Sequence, residues 1–175
     1  MPSTTPLGAL GKGLAAGVAG NAVMTGAQMA YLKATGGEDS TVPAQVGKRI
    51  IEGVLQRGPV PDSRIPLLNN AVHWLYGTSW GAVYGLVAGS LGPRAPRAGL
   101  AFGLAVWGAS LVQLPAMKLA PPVWEYPASS LAPDVGFHLV YGVAVAGERL
   151  SPARDMRPPR PRRTRGGIPH RGPAS

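Results

Sequence analysis

Residues 65–93 read IPLLNNAVHWLYGTSWGAVYGLVAGSLGP, 29 positions without an Asp, Glu, Lys or Arg. A soluble amphipathic helix carries charge on its outer face every turn or two, and this stretch carries none. It is also longer than the roughly 20 residues needed to cross a hydrocarbon core of about 30 Å. Two further stretches share the property, 13–32 and 98–117, each with 20 uncharged positions. Three such segments in 175 residues favour a membrane bundle over a soluble protein with unusually apolar buried helices. The mean hydropathy of +0.08 is low for that class because the charges gather between the segments and in the tail.

Working outward, the spacing predicts an all-α fold: a polytopic bundle of about four transmembrane helices over 1–150, then a tail over 151–175. The spans are expected at about 7–32, 66–91, 98–119 and 133–150. Pro6 opens the first helix and Gly36-Gly37 closes it. It is longer than a signal-peptide core, so a retained helix is expected. In the loop from 33 to 66, Ser40 or Thr41 caps a short helix that enters at Pro43 and stops at Gly58-Pro59. Val46, Ile50 and Val54 recur there every four residues, which suits a helix in the membrane interface or one packed over the bundle. Pro115 falls near the end of the third helix. Trp124 and Tyr126 then act as interfacial anchors. The fourth span is the shortest. If Pro133 opens it, with Asp134 at the favourable N-terminal end, it has 18 residues and a length of about 27 Å.

Charge asymmetry orients this topology. With four spans, Lys12, Arg94, Arg97, Arg149 and the seven tail arginines share one side, 11 of the 17 basic residues. The more basic side is expected in the cytoplasm, with both termini. The tail, PARDMRPPRPRRTRGGIPHRGPAS after Ser151, has little apolar surface to bury and reads as disordered. Its arginines suit anionic lipid head groups or orientation alone. The net charge of +9 does not point to nucleic acid, since seven basic residues lie in that tail and few aromatics accompany them.

Two patterns inside the spans carry further information. Gly77, Gly81, Gly85 and Gly89 recur at intervals of four and share one helix face, a glycine-zipper pattern. Gly13 with Gly17, and Gly99 with Gly103, are shorter versions. Such faces let a neighbouring backbone approach closely, within one chain or in a homo-oligomer or other membrane partner. The second pattern is an echo: HWLYG at 73–77 and HLVYG at 138–142 both read His-x-x-Tyr-Gly. The second and fourth helices run the same way, so the copies are expected at similar depth, as in two helix pairs related by an axis along the membrane normal.

Polar groups within spans are costly and usually have a reason. His73, Tyr76, His138, Tyr141, Asn21, Gln113 and Asp134 are the candidates. The histidines have three readings: hydrogen bonding between helices, bis-histidine ligation of a haem, and proton sensing or transfer. No catalytic constellation is present, with no phosphate loop, no HExxH and no GxSxG; Ser79 sits in TSWGA. With no cysteine, disulfides and Cys-ligated metals are excluded. The chain is expected to be no enzyme and to hold no cofactor or metal unless His73 and His138 take a haem.

The run NNAVHWLYGTSWGAVYG, 69–85, resembles the YagU-like family of small bacterial inner-membrane proteins. The later HLVYG, the glycine-rich first helix and the Pro-rich link are similar too. The likeness covers residues 7–148 in layout and is specific at the two motifs, whereas the arginine tail departs from the family. The resemblance implies a multi-span protein of the bacterial cytoplasmic membrane, linked to acid tolerance and without a defined activity or active-site residues. The Gly-, Ala-, Pro- and Arg-heavy composition fits a GC-rich bacterial genome. The expected function is a non-enzymatic inner-membrane protein tied to acid or envelope stress. A haem-binding subunit and a small oligomeric channel are the alternatives.

Overall fold

The computed structural model describes residues 5–91 and 96–148. Within them the chain is helical: α1 (Pro6–Thr35), α2 (Val42–Lys48), α3 (Ile65–Leu91), α4 (Pro96–Ala116) and α5 (Ala128–Glu148). The tail expected at 151–175 lies outside the described residues, as do Arg94 and Arg149.

The ends of these helices follow from their residues. The Thr5 hydroxyl accepts from the Gly8 N–H, and Pro6 takes the first position, where no N–H is needed. Gly36 closes α1 in the left-handed region at φ 68°, its N–H donating to Leu32 O at 2.8 Å. α2 is capped from outside: the Asn69 amide on α3 accepts from Ala44 N–H at 2.9 Å and donates to Ser40 O at 2.9 Å. Gly47 lies against Leu68, so α2 packs on the start of α3. α2 continues as a π-helical turn over Arg49–Val54. That turn closes where Gln56 takes a left-handed φ of 50° and Arg57 N–H reaches back to Ile51 O at 3.0 Å.

α4 ends at Ala116 rather than at 119, with Pro115 in its last turn and Lys118 in the left-handed region. α5 starts at Ala128, five residues earlier than expected, so Pro133 lies inside the helix instead of opening it. Its 21 residues give a length of about 31 Å.

The four-span expectation is overturned. Among the described residues one helix, Arg97–Ala116, is long and apolar enough to cross a membrane, with 20 residues and a mean hydropathy of 1.4. The other three long helices have the length without the apolarity. Absence of charge is not apolarity, and an uncharged helix can still be rich in polar and small residues. α1 carries Asn21, Thr25, Gln28 and several glycines; α3 carries Asn69, Asn70, His73, Thr78 and Ser79; α5 carries Ser129, Ser130, Asp134 and His138. The inference that both termini share one side rested on an even span count and falls with it.

The helices form two antiparallel pairs, α1 with α3 and α4 with α5, joined chiefly through α1 and α5. In the first pair a Cβ on Gly13 would lie 2.5 Å from Gly81 O, and one on Gly85 would lie 2.5 Å from Ala9 O. A Cβ on Gly81 would overlap the Gly17 backbone. In the second pair, Cβ atoms on Gly103 and Gly142 would meet the His138 carbonyl and the Gly99 carbonyl. The surroundings of Gly89 lie outside the described residues. α3 faces α4 through rings instead: Phe102 stands 4.7 Å from Tyr84 and 6.4 Å from Trp80, and 5.9 Å from Tyr141 of α5. The core is thus mostly small residues and aromatics, with Met24, Val106 and Val145 among them. Large aliphatic side chains point outward, among them Leu75, Val83 and Val87 on α3 and Leu100, Leu104 and Val112 on α4.

Gly81→Ala is expected to lower stability by about 1–3 kcal/mol through overpacking. Gly26→Ala, with open space around it, should raise stability by about 0.5–1 kcal/mol. Thermal unfolding of the two variants gives the signs. Gln56→Gly relieves the left-handed backbone and should stabilise by about 1 kcal/mol, whereas Gly36→Ala should cost a similar amount. Loss of stability in Gln56→Gly would contradict the turn geometry.

Candidate functional site

Contacts along the pairs fix helix direction. Gly13, Asn21 and Thr25 of α1 meet Gly85, Gly77 and His73 of α3 in that order, and Tyr31 and Gly20 of α1 meet Phe137 and Val145 of α5. α3 and α5 therefore run parallel, which brings the two His-x-x-Tyr-Gly copies to one level.

They meet around a cavity of ≈ 60 Å³ lined by Asn21, Met24, His73, Tyr76, Gly77, Val106, His138 and Tyr141. All four long helices contribute. This volume has room for a few water molecules at roughly 10–15 Å³ each.

Each motif position has a visible task. The glycines admit a partner helix: a Cβ on Gly77 would overlap the Asn21 side-chain oxygen, and one on Gly142 would overlap the α4 backbone. The tyrosines tie helices together. Tyr141, buried in the core, donates to the Gly77 carbonyl, so the second copy is bonded directly to the first. Tyr76 donates to Gln113 on α4 at 3.1 Å. The histidines differ. His73 Nε2 lies 3.3 Å from the Thr25 hydroxyl of α1. His138 Nδ1 lies 2.8 Å from the Asp134 carbonyl one turn back, and must donate to it, which leaves Nε2 as an acceptor in the neutral ring. The Asp134 carboxylate accepts from Trp107 Nε1 at 2.8 Å, and its other oxygen is 3.6 Å from His138 Nδ1.

Asn21 is the most enclosed polar group of the site, 1% exposed. Its amide donates to Trp74 O at 3.0 Å and makes a long 3.5 Å contact with the Thr78 hydroxyl. A buried amide left without partners is costly, so these bonds hold α1 in register on α3. Burial is the main cause that lowers the pKa of His73 below the ordinary imidazole value; the Asp39 carboxylate opposes this and His138 adds to it.

Of the residues expected from sequence, Asn21, His73, Tyr76, His138 and Tyr141 line the cavity. Gln113 and Asp134 act one bond away, through Tyr76 and His138. Sequence reasoning missed Thr25 and Trp107. Thr25 stands four residues after Asn21 on the same helix face, a spacing that could have flagged it.

The cavity does not fit a haem. Ligands of drug size occupy roughly 300–1,000 Å³, against ≈ 60 Å³ here. His138 Nδ1 and His73 Nε2 also have partners already. No cluster of three or more His, Cys, Asp or Glu suited to a metal occurs among the described residues. The arrangement can hold water, pass hydrogen bonds between four helices and change charge at two imidazoles. Comparison with protein families, with characterised proteins and with solved structures gives no match for this chain.

Proposed function

We propose that the protein is a non-enzymatic component of a bacterial cytoplasmic membrane that responds to acid through His73 and His138. The observation that carries this reading is the convergence of both histidines on one small cavity between the four long helices. Protonating both places like charges around a space of low polarity, where repulsion is weakly screened. The groups facing them are Asp39 before α2, Tyr76 on α3, and Asp134 and Tyr141 on α5. The faces that α1 and α4 present there carry neutral Asn21, Thr25 and Gln113. The resemblance to the YagU-like family supports the link to acid.

Membrane association rests on α4. The core helix of a soluble protein is mostly buried, whereas 17% of the Arg97–Ala116 window is buried. Its Leu100, Leu104 and Val112 face outward, and the apolar surface continues onto neighbouring helices, which suits contact with acyl chains. A channel built on the glycine face finds less support, because Gly77, Gly81 and Gly85 are filled by α1 of the same chain.

Since folding holds His73 below its unfolded value near 6.5, the unfolded chain takes up that proton first. Stability is therefore expected to be full above about pH 6.5 and to fall as pH drops through that value toward the folded one. His73→Gln should flatten the loss over that window. Imidazole NMR titration of the detergent-solubilised full chain provides the direct check. A His73 titrating at or above 6.5, or identical pH dependence in His73→Gln, would sink the acid reading. Carbonate extraction of membranes tests the location separately: protein released to the soluble fraction would rule out membrane integration.

A further inference from the structure

A second site lies at the opposite face of α3 from the motif cavity's partners, where the chain leaves α2. The π-helical turn, the segment 58–61 and the first turns of α3 enclose a groove of ≈ 440 Å³. Its walls are apolar, with Ile51, Pro59, Val60, Leu68 and Ala71 among them. Its charged groups are Arg57 and Arg64. Neither guanidinium has an ion-pair or side-chain hydrogen-bond partner among the described residues. The nearest acids in sequence do not neutralise them. Glu52 accepts from Val60 N–H at 2.8 Å and pairs with Lys48 at 3.9 Å, and Asp62 makes no ion pair with either arginine.

The placement of the arginines is built in. The left-handed Gln56 and the bond from Arg57 N–H to Ile51 O turn the chain back at the groove. Arg64 closes the short 3-10 turn that leads into α3, its N–H donating to Pro61 O at 2.9 Å. Strongly exposed Val54, Leu55 and Leu67 belong to the same segments and extend the apolar surface beyond the groove.

We infer that this groove binds one anionic phospholipid, an acyl chain against its apolar walls and the phosphate at Arg57 and Arg64. A small inorganic anion would use the arginines and leave the apolar walls wet. A neutral chain would use the walls and leave two cations unmatched. An anionic amphiphile matches both halves, and guanidinium is the side chain best shaped for phosphate. The groove is of ligand size, unlike the motif cavity. The inference rests on the membrane reading above, which brings the groove within reach of lipid. It is distinct from the tail arginines, since it uses two residues of the folded part.

Native mass spectrometry of the full chain in a neutral detergent tests it, with phosphatidylglycerol, phosphatidylcholine or inorganic phosphate added. One phosphatidylglycerol should be retained in preference to phosphatidylcholine. The double variant Arg57→Gln/Arg64→Gln, its tail intact, should bind about thirtyfold more weakly, the effect of two basic groups near a lipid surface. Ala71→Leu, which fills the groove and keeps both charges, should also weaken binding. Unchanged helix content by circular dichroism shows that the variants are folded. Equal binding of the two lipids, full binding by the double variant, or phosphate competing as an equal would each overturn the proposal. Carbonate extraction of the same variants reports the membrane reading independently: a chain that stays in the membrane and lacks the lipid defeats this inference alone.

Discussion

No methyl group fits between Gly17 and Gly81, and that limit sets the geometry of everything packed around α1. Two helix backbones in contact lose the freedom to slide, because each carbonyl of one lies against a specific Cα of the other. Dispersion contacts at this distance are individually small and collectively large. With α1 held so close to α3, Asn21 meets the Trp74 carbonyl and Thr25 meets His73. Gly20, on another face of α1, is left against Tyr141 and Val145 of α5. The second pair repeats the device with Gly99, Gly103 and Gly142.

The polar cavity follows from the same constraint. Small residues bring helices together at some levels, and where Asn21, the histidines and the tyrosines stand, the bundle opens enough for water-sized space. The bond from Tyr141 to the Gly77 carbonyl crosses between the two motif copies at that level. The other bonds at this level are separate links between neighbouring helices, Thr25 to His73, Tyr76 to Gln113 and Trp107 to Asp134. His73 is bonded to α1 through Thr25, and His138 is linked to α4 through Asp134 and Trp107, so each imidazole stands at the seam between its own helix and one neighbour.

Much of the helical layout was legible in the residues. Pro6 and Gly36 mark ends by backbone chemistry that needs no tertiary information, and the repeated His-x-x-Tyr-Gly pointed to residues that do share a cavity. What failed was the step from uncharged to membrane-crossing. Glycine, asparagine, threonine and histidine leave a helix uncharged without making it apolar, and α4 is the helix where Ala, Leu and Val make up about half of the residues. Pro133 misled for another reason: the residues before it, Ala128 to Ala132, gain more by continuing the helix than one missing backbone bond costs. The cap on α2 was legible in part: the Ser40 hydroxyl accepts from Val42 N–H at 3.3 Å, whereas Thr41 makes no cap bond and Asn69 comes from 25 residues downstream of Ala44. The groove at Arg57 and Arg64 was equally hidden, since it depends on a π-turn that has no simple sequence signature.

The distribution of side-chain size has an evolutionary consequence. In a water-soluble domain the large aliphatic residues are inside and constrained by their neighbours, while the surface drifts. Here alanines, glycines, a few rings and the aliphatic Met24, Val106 and Val145 fill the interior, and most leucines stand outside with valines such as Val87 and Val112. The outward positions ask only for an aliphatic side chain, so Leu, Ile, Val and Met are interchangeable there. The glycines at the helix contacts ask for the absence of a side chain, a requirement with one solution. Descent should therefore have preserved the smallest residues of this chain and left its largest aliphatic ones free to exchange.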